Sequence, residues 1–395
     1  MPGPSWPPSN EPAPVCLDGR RWATLDHVTG PTIDELREIG DQAGLDALGV
    51  AAAEVFESTL ADLHERKAAG LHSDMQFTYR NPERSTDPLR HLRDVKTLVV
   101  AARSYHRDPG DLAVDGPAGD VARYVWEDHY GELTAALRLV ADELERHGWR
   151  TRLLVDDNAL VDREAAFRAG LGWYGKNANL LLPGRGSWFV LGSILTDAPF
   201  EPAVPLADGC GSCSRCLTSC PTNAIVQPGV IDANRCLAWL VQSAGMFPAE
   251  HRIALGTRIY GCDDCQEVCP PNRRTAQQPV EITNAARRPW VALLDILGAS
   301  DDTLLESYGT WYIPKREPRY LRRNALVALG NSGSRADPRV VAAVESMLCV
   351  TDPMVRAHAV WAAKRLDLTD CLNLVANDDA PEVRIELARD VPAAL

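Results

Sequence analysis

The chain has 395 residues, 45% of them hydrophobic, and a formal net charge of −13. That length accommodates two or three domains around large cores. The negative balance excludes a surface that is basic as a whole, and no run approaches the roughly 18 apolar residues of a membrane span. Met1 to Pro14 is proline-rich and polar, without the basic start and apolar core of a signal peptide. Residues 1–30 therefore read as a disordered tail, and the protein as cytoplasmic and, by default, monomeric. Pro31 and Asp34 suit a helix start, with Leu48-Gly49-Val50 a strand after it. A second helix runs near Ser58 to Ala69, and Thr97 to Ala102 is a buried strand. Gly131 to His147 is an amphipathic helix with Leu133, Leu137, Val140 and Leu144 on one stripe. Arg152 to Val155 and Trp188 to Leu195 are further strands, so residues 31–200 read as an α/β domain.

Asp156 and Asp157 stand at the end of the strand at Val155, where α/β sheets commonly place ligand-facing carboxylates. Asp156 is either a general acid or an N-cap of the helix spanning Ala159 to Ala169; Asp157 and Asn158 suit the capping role. Three glycines follow within Gly170-Leu171-Gly172-Trp173-Tyr174-Gly175. They match no Walker A loop or dinucleotide fingerprint, and on spacing alone favour a tight helix-to-loop transition.

Residues 201–285 carry the strongest signal. Cys210, Cys213, Cys216 and Cys220-Pro221 form C-x2-C-x2-C-x3-C-P; Cys236 stands alone, and Cys262, Cys265 and Cys269-Pro270 repeat the ending. Short steps let three thiolates converge on one four-iron cube, while the Cys-Pro turn sends the last cysteine to another. Crossed pairing then puts Cys210, Cys213, Cys216 and Cys269 on one 4Fe-4S cluster and Cys220, Cys236, Cys262 and Cys265 on a second, in a ferredoxin-like domain. Two zinc sites are the competing reading, and a disulfide framework a weaker one. Cys16, Cys349 and Cys371 lie outside both groups.

Residues 286–395 read as a helical linker and repeat domain. Asp352-Pro353-Met354-Val355-Arg356 recurs as Ala380-Pro381-Glu382-Val383-Arg384 and, more loosely, as Glu317-Pro318-Arg319-Tyr320-Leu321-Arg322. A proline opening each helix suits HEAT-like repeats. The basic cluster Lys315, Arg316, Arg319, Arg322 and Arg323 is either solvated charge or a local phosphate-binding patch.

Several stretches together resemble the epoxyqueuosine reductase family. They are Arg84-Ser85-Thr86-Asp87-Pro88, Val121-Ala122-Arg123-Tyr124, Ala169 through Asn177, Gly186-Ser187-Trp188, Tyr260-Gly261-Cys262-Asp263-Asp264-Cys265-Gln266 and Arg323-Asn324-Ala325. The resemblance implies a reductive-dehalogenase-like α/β cobalamin domain, a two-cluster ferredoxin module and HEAT-like repeats. It implies reduction of epoxyqueuosine in tRNA to queuosine, with two 4Fe-4S clusters and cobalamin as cofactors. Asp156 falls on the family's proton donor. Cobalamin contacts fall at Arg123, Asp156, Lys176, Asn177, Leu180, Ser187, Ala238 and Asp263, many of them through backbone. The basic cluster becomes a tRNA surface. No flavin or nicotinamide motif is present, so electrons come from an external donor such as a flavodoxin- or ferredoxin-like protein. The chain departs from the family pattern at Ala159, Asp162 and Ser193, at Asp128-His129-Tyr130, and at Val241-Gln242-Ser243. Two other classes stay open: a cobalamin-dependent reductase of a small molecule, and a non-enzymatic electron-transfer protein.

Overall fold

Short apolar runs separated by amphipathic helices leave one arrangement open to them: a sheet covered on both faces by helices. The structure is a computed structural model and describes residues 30–110, 114–276 and 288–394. The expected N-terminal tail and Cys16 lie outside those residues, as does the expected boundary at 285.

In chain order the sheet-forming half runs α1 (Ile33–Gln42), β1 (Ala47–Ala52), α2 (Glu57–Ala68), β2 (Thr97–Ser104), β3 (Ala118–Val121), α3 (His129–Arg146), β4 (Thr151–Val155), α4 (Asp162–Arg168), β5 (Trp173–Tyr174), β6 (Leu180–Leu181) and β7 (Phe189–Thr196). The main sheet has the order β1-β2-β7-β4. Each of its ladders is antiparallel. Alternating strands and helices therefore do not build a parallel, doubly wound sheet here. Hydrophobic periodicity reports which face of a strand is buried, not which neighbour it pairs with.

Successive side chains of a strand face opposite layers. Leu133, Leu137, Val140 and Leu144 of α3 pack with Leu36 of α1, Val99 and Ile194 on one face. Ala165 and Ala166 of α4 pack with Leu98, Val100, Leu191 and Leu195 on the other. A capping box between Thr32 and Glu35 starts α1. Asp128 caps α3 by accepting from the Gly131 amide at 2.9 Å. The helix expected from Ala159 begins only at Asp162, because Asp157 Oδ1 accepts from the Ala159 amide at 2.8 Å and holds a turn there.

The glycine-rich stretch forms a tight hairpin, β5 against β6. A Cβ on Gly172 would stand 2.2 Å from the Leu181 carbonyl oxygen, so close backbone approach demands glycine.

A second sheet joins three distant parts of the chain. β3 lies between β8 (Arg258–Tyr260) and β9 (Trp290–Ala292). Beyond it come α5 (Arg319–Ser332), α6 (Pro338–Leu348), α7 (Pro353–Arg365) and α8 (Pro381–Ala388). Proline occupies the first turn of α6, α7 and α8, where its missing N–H costs nothing. One apolar core draws on Val121 and Trp126, on Leu237, Phe247 and Ile259, and on Leu326, Val360 and Val383.

Candidate active site

The eight cysteines of the two groups are free thiols, each half-buried. Burial raises Cys269 to about 11 against a hydrogen bond from the Asn272 amide, and the charges of Cys210, Cys216 and Cys213 add to the rise. Burial likewise raises Cys236, opposed by the amides of Trp239 and Ala238, with Cys220 adding. Cys262 is pushed up to about 12 by burial, then by Asp264, with Cys236 contributing. Cys265 lies well above the usual thiol range through burial, then Cys262 and Cys236. Most thiols that act on one another group as Cys210, Cys213, Cys216 and Cys269, and as Cys220, Cys236, Cys262 and Cys265, while Cys216 also acts on Cys265 across the two groups.

Among the described residues no three of His, Cys, Asp or Glu converge tightly enough to hold a single metal ion. Four thiols bound to four corners of an iron–sulfur cube stand further apart than ligands around one zinc. Amide N–H groups aimed at Cys236 and Cys269 are the donors that stabilise thiolate charge in such a cluster. The residues present fit two four-iron clusters.

Side chains of the sheet-forming half brace these loops. Lys176 Nζ donates to the carbonyls of Gly211 and Cys213 at 2.7 and 2.8 Å. Asn177 Nδ2 donates to Cys265 O at 3.2 Å. Gln266 Oε1 accepts from Tyr105 Oη at 3.1 Å and from Ser187 Oγ at 2.9 Å. Asn272 accepts from the Ser187 amide at 2.6 Å and donates to Ser187 Oγ and Gln266 O. Asp263 accepts from the Arg123 amide at 2.8 Å. The Arg123 guanidinium lies between the rings of Trp126 and Trp188 and pairs with Glu267. The side chains of Lys176, Asn177, Ser187 and Arg123 are therefore committed to protein partners. Leu180 is buried in the hairpin, and Ala238 is half-buried beside Cys236.

Asp156 stands apart. Its φ of +48° is left-handed, a conformation in which non-glycine residues are strained. Its side chain is exposed and has no hydrogen bond among the described residues. The turn after it is pinned: Arg84 bonds Asn158 Oδ1, and Ser85 Oγ donates to Asn158 O at 2.6 Å. The enclosing walls desolvate the carboxyl and push its pKa up, with Asp157 adding. Asp162 lies well above the usual carboxylate range through burial, then the charge of Asp156. Tyr130 and Tyr260 also sense Asp156. Since Tyr260 is two residues before Cys262, Asp156 and the second thiol set share one neighbourhood.

Three positions keep buried polar atoms that have no hydrogen bond. Asp162 Oδ1, Ser193 Oγ and both ring nitrogens of His129 are buried without a partner. Burial lowers His129 to about 4 and keeps the ring neutral, Arg107 acting in the same direction. Ser193 stands opposite Leu154, two residues before Asp156. These orphans fall on the positions where the sequence departs from the family pattern. Tyr105 carries no motif signal, while Tyr124, Tyr130 and Tyr260 lie in stretches compared with the family pattern but had no role assigned. Gln266 and Asn272 had one, since both lie in or beside the second cysteine group.

The basic cluster divides. Arg323 is 0% exposed. Its guanidinium donates to the carbonyls of Ser243, Gly245, Leu240 and Val241 and to Asn324 Oδ1. It cannot reach a phosphate and leaves the RNA-facing set. Arg322 pairs with Asp301, and Arg319 with Glu317 and Asp352. Lys315 and Arg316 remain exposed.

Residues 209–272 match the family described as a 4Fe-4S double cluster binding domain. The epoxyqueuosine reductase of Bacillus subtilis is 33% identical over 347 residues, covering 84% of this chain and 87% of that protein. The chain belongs to the epoxyqueuosine reductase family. A crystal structure of an epoxyqueuosine reductase with a tRNA-Tyr epoxyqueuosine-modified tRNA stem loop matches it with a TM-score of 0.80 at 30% identity, covering 90% of this chain and 96% of that one. A Bacillus subtilis epoxyqueuosine reductase structure, with its catalytic aspartate loop swung out of the active site, matches with a TM-score of 0.79 at 29% identity over 90% of this chain and 96% of that one. The epoxyqueuosine reductases thus resemble this chain across the sheet, the cysteine groups and the C-terminal helices together.

Proposed function

We propose that this protein reduces the epoxide of epoxyqueuosine in tRNA to the alkene of queuosine. The observation that carries the reading is the shared neighbourhood of Asp156 and the Cys220, Cys236, Cys262 and Cys265 set, within a chain of this family. Removal of an epoxide oxygen to leave an alkene takes two electrons and two protons. When bound, the clusters supply single electrons at low potential and cobalamin supplies the reductant for the epoxide.

The chain's own residues hold, orient and protonate. Each thiol set holds one cluster. Asp156, whose pKa burial and Asp157 raise, is the acid that gives a proton to the departing oxygen. Asp162 Oδ1, beside Asp156, is an unspent hydrogen-bonding atom that fits the amide-fringed rim of a corrinoid, whereas His129 and Ser193, both 0% exposed, do not reach one. Cobalamin contacts at Lys176, Asn177, Leu180 and Ser187 are made by backbone, their side chains being engaged elsewhere. An external donor protein in the cytoplasm would supply the electrons, and Cys210, Cys213, Cys216 and Cys269 would hold one of the two clusters that carry them. The proline-started C-terminal helices act as HEAT-like units beside the tRNA, with Lys315 and Arg316 on its phosphates.

The test is anaerobic incubation of iron- and cobalamin-loaded protein with a chemical reductant and epoxyqueuosine-containing tRNA, followed by mass spectrometry of the nucleosides. Conversion with loss of one oxygen is expected. No conversion, with both clusters and cobalamin verified, would sink the reading.

A further inference from the structure

The loop before α5 is anchored by three buried residues. Trp311 is buried and stacked on Tyr260 at 4.5 Å. Ile313 and Pro314 are buried as well. Tyr312 is 57% exposed, and Lys315 and Arg316 project beside it into solvent. Lys315 and Arg316 have consecutive left-handed φ values of +52° and +56°. L-residues adopt that backbone only where the surroundings force it, and such positions cluster at ligand-binding segments. Arg316 is steadied by donating to Gly309 O at 3.2 Å. Among the described residues neither cation has an acidic partner within ion-pair distance, unlike Arg319 and Arg322 nearby.

The loop is also tied to the reaction crevice. The Tyr312 amide donates to Tyr260 Oη at 2.7 Å. Tyr260 leads directly into Gly261-Cys262. An exposed aromatic ring and two cations without acidic partners among the described residues are thus presented on a segment tied to the strand that enters the second cysteine group.

Resting on the reading that the substrate is a tRNA, we propose that Tyr312 is a stacking platform for an unpaired loop base next to the modified nucleotide, with Lys315 and Arg316 holding the flanking phosphates. Single-stranded RNA is the partner this chemistry fits. Splayed bases stack on aromatic rings whatever their identity, and the cations follow the backbone. Duplex RNA would present no free base face to the ring.

The test uses the full, cluster- and cobalamin-loaded protein and an epoxyqueuosine-modified tRNA stem loop bearing 2-aminopurine beside the modified position. Anisotropy reads binding and quenching of the 2-aminopurine reads stacking. Tyr312→Ala is expected to weaken binding about 10-fold and abolish the quench, and Tyr312→Phe to restore both. The link to Tyr260 survives both substitutions because it uses the backbone amide. Lys315→Glu with Arg316→Glu is expected to flatten the salt dependence by about 1.4 in log–log slope, two phosphate contacts of a single strand. Wild-type protein that leaves the stem loop unbound overturns the tRNA reading and this inference with it. Wild-type binding and quenching that Tyr312→Ala reproduces unchanged overturns the platform alone.

Discussion

Two polar clusters of this molecule, one around Arg323 and one around Asp156, are finished to different degrees. Around Arg323 each guanidinium nitrogen has an acceptor, and Asn324 Nδ2 bonds Val241 O and Ile259 O. Around Asp156 the opposite holds: a strained, unpartnered carboxyl and, beside it, a second carboxyl with an orphan oxygen, Asp162 Oδ1. A buried polar atom without a partner costs about 1–3 kcal/mol. Saturation therefore marks where segments are joined, and its absence marks where something else is meant to bind. Damage to the first should appear in stability, and damage to the second in chemistry.

Asp156→Asn breaks the comparison most sharply. Turnover should fall by roughly 10²–10⁴-fold, the usual worth of a positioned acid. Iron content, cobalamin binding and melting temperature should hold, as followed by absorbance spectra and thermal unfolding. Full activity would remove Asp156 from the mechanism. Arg323→Met tests the saturated cluster. It strips partners from several buried carbonyls and should cost about 3 kcal/mol or more, read as a large drop in melting temperature. Arg323→Lys should rescue little, because an ammonium cannot span that fork. An unchanged melting temperature would mean that water replaces the guanidinium freely.

Asp157→Asn sharpens the comparison with the smallest effect. Asp156 is raised by burial first and by Asp157 second. A raised folded pKa keeps the acid protonated above its ordinary range, so turnover should decline as pH rises through it. Asparagine keeps the acceptor for Ala159 but removes the charge. The decline should then begin at a lower pH in the kcat profile. A decline that stays in place would assign the limb to another group.

The cysteine sets were legible because ligand identity and spacing are local properties of a chain. The stripe of α3 was legible for the same reason: Leu133, Leu137, Val140 and Leu144 are all fully buried. Strand pairing was not, since partners such as Val99 and Ile194 lie far apart in sequence. Asp156 could be found at a strand end, but its left-handed backbone and its freedom from capping emerge only when Asp157 and Asn158 are seen occupied. Arg323 was misread because five cations within nine residues look alike on paper. Only the packing of α5 against residues 240–245 separates the buried one from the exposed ones. The orphaned atoms at His129, Asp162 and Ser193 had an indirect trace, as departures from the family pattern.

The shared apolar core has a consequence for how the protein is made. Cys262 packs against that core, which also needs Leu326, Val360 and Val383 from the last helices. A ribosome delivers the chain from its N-terminus, and segments collapse as they emerge. The thiols for both clusters are thus synthesised well before the helices that close over them. Iron and sulfide have a window for insertion that ends when α5 to α8 dock, and a chain cut short before α5 would leave the faces around Ile259 and Phe247 open to water and prone to aggregate.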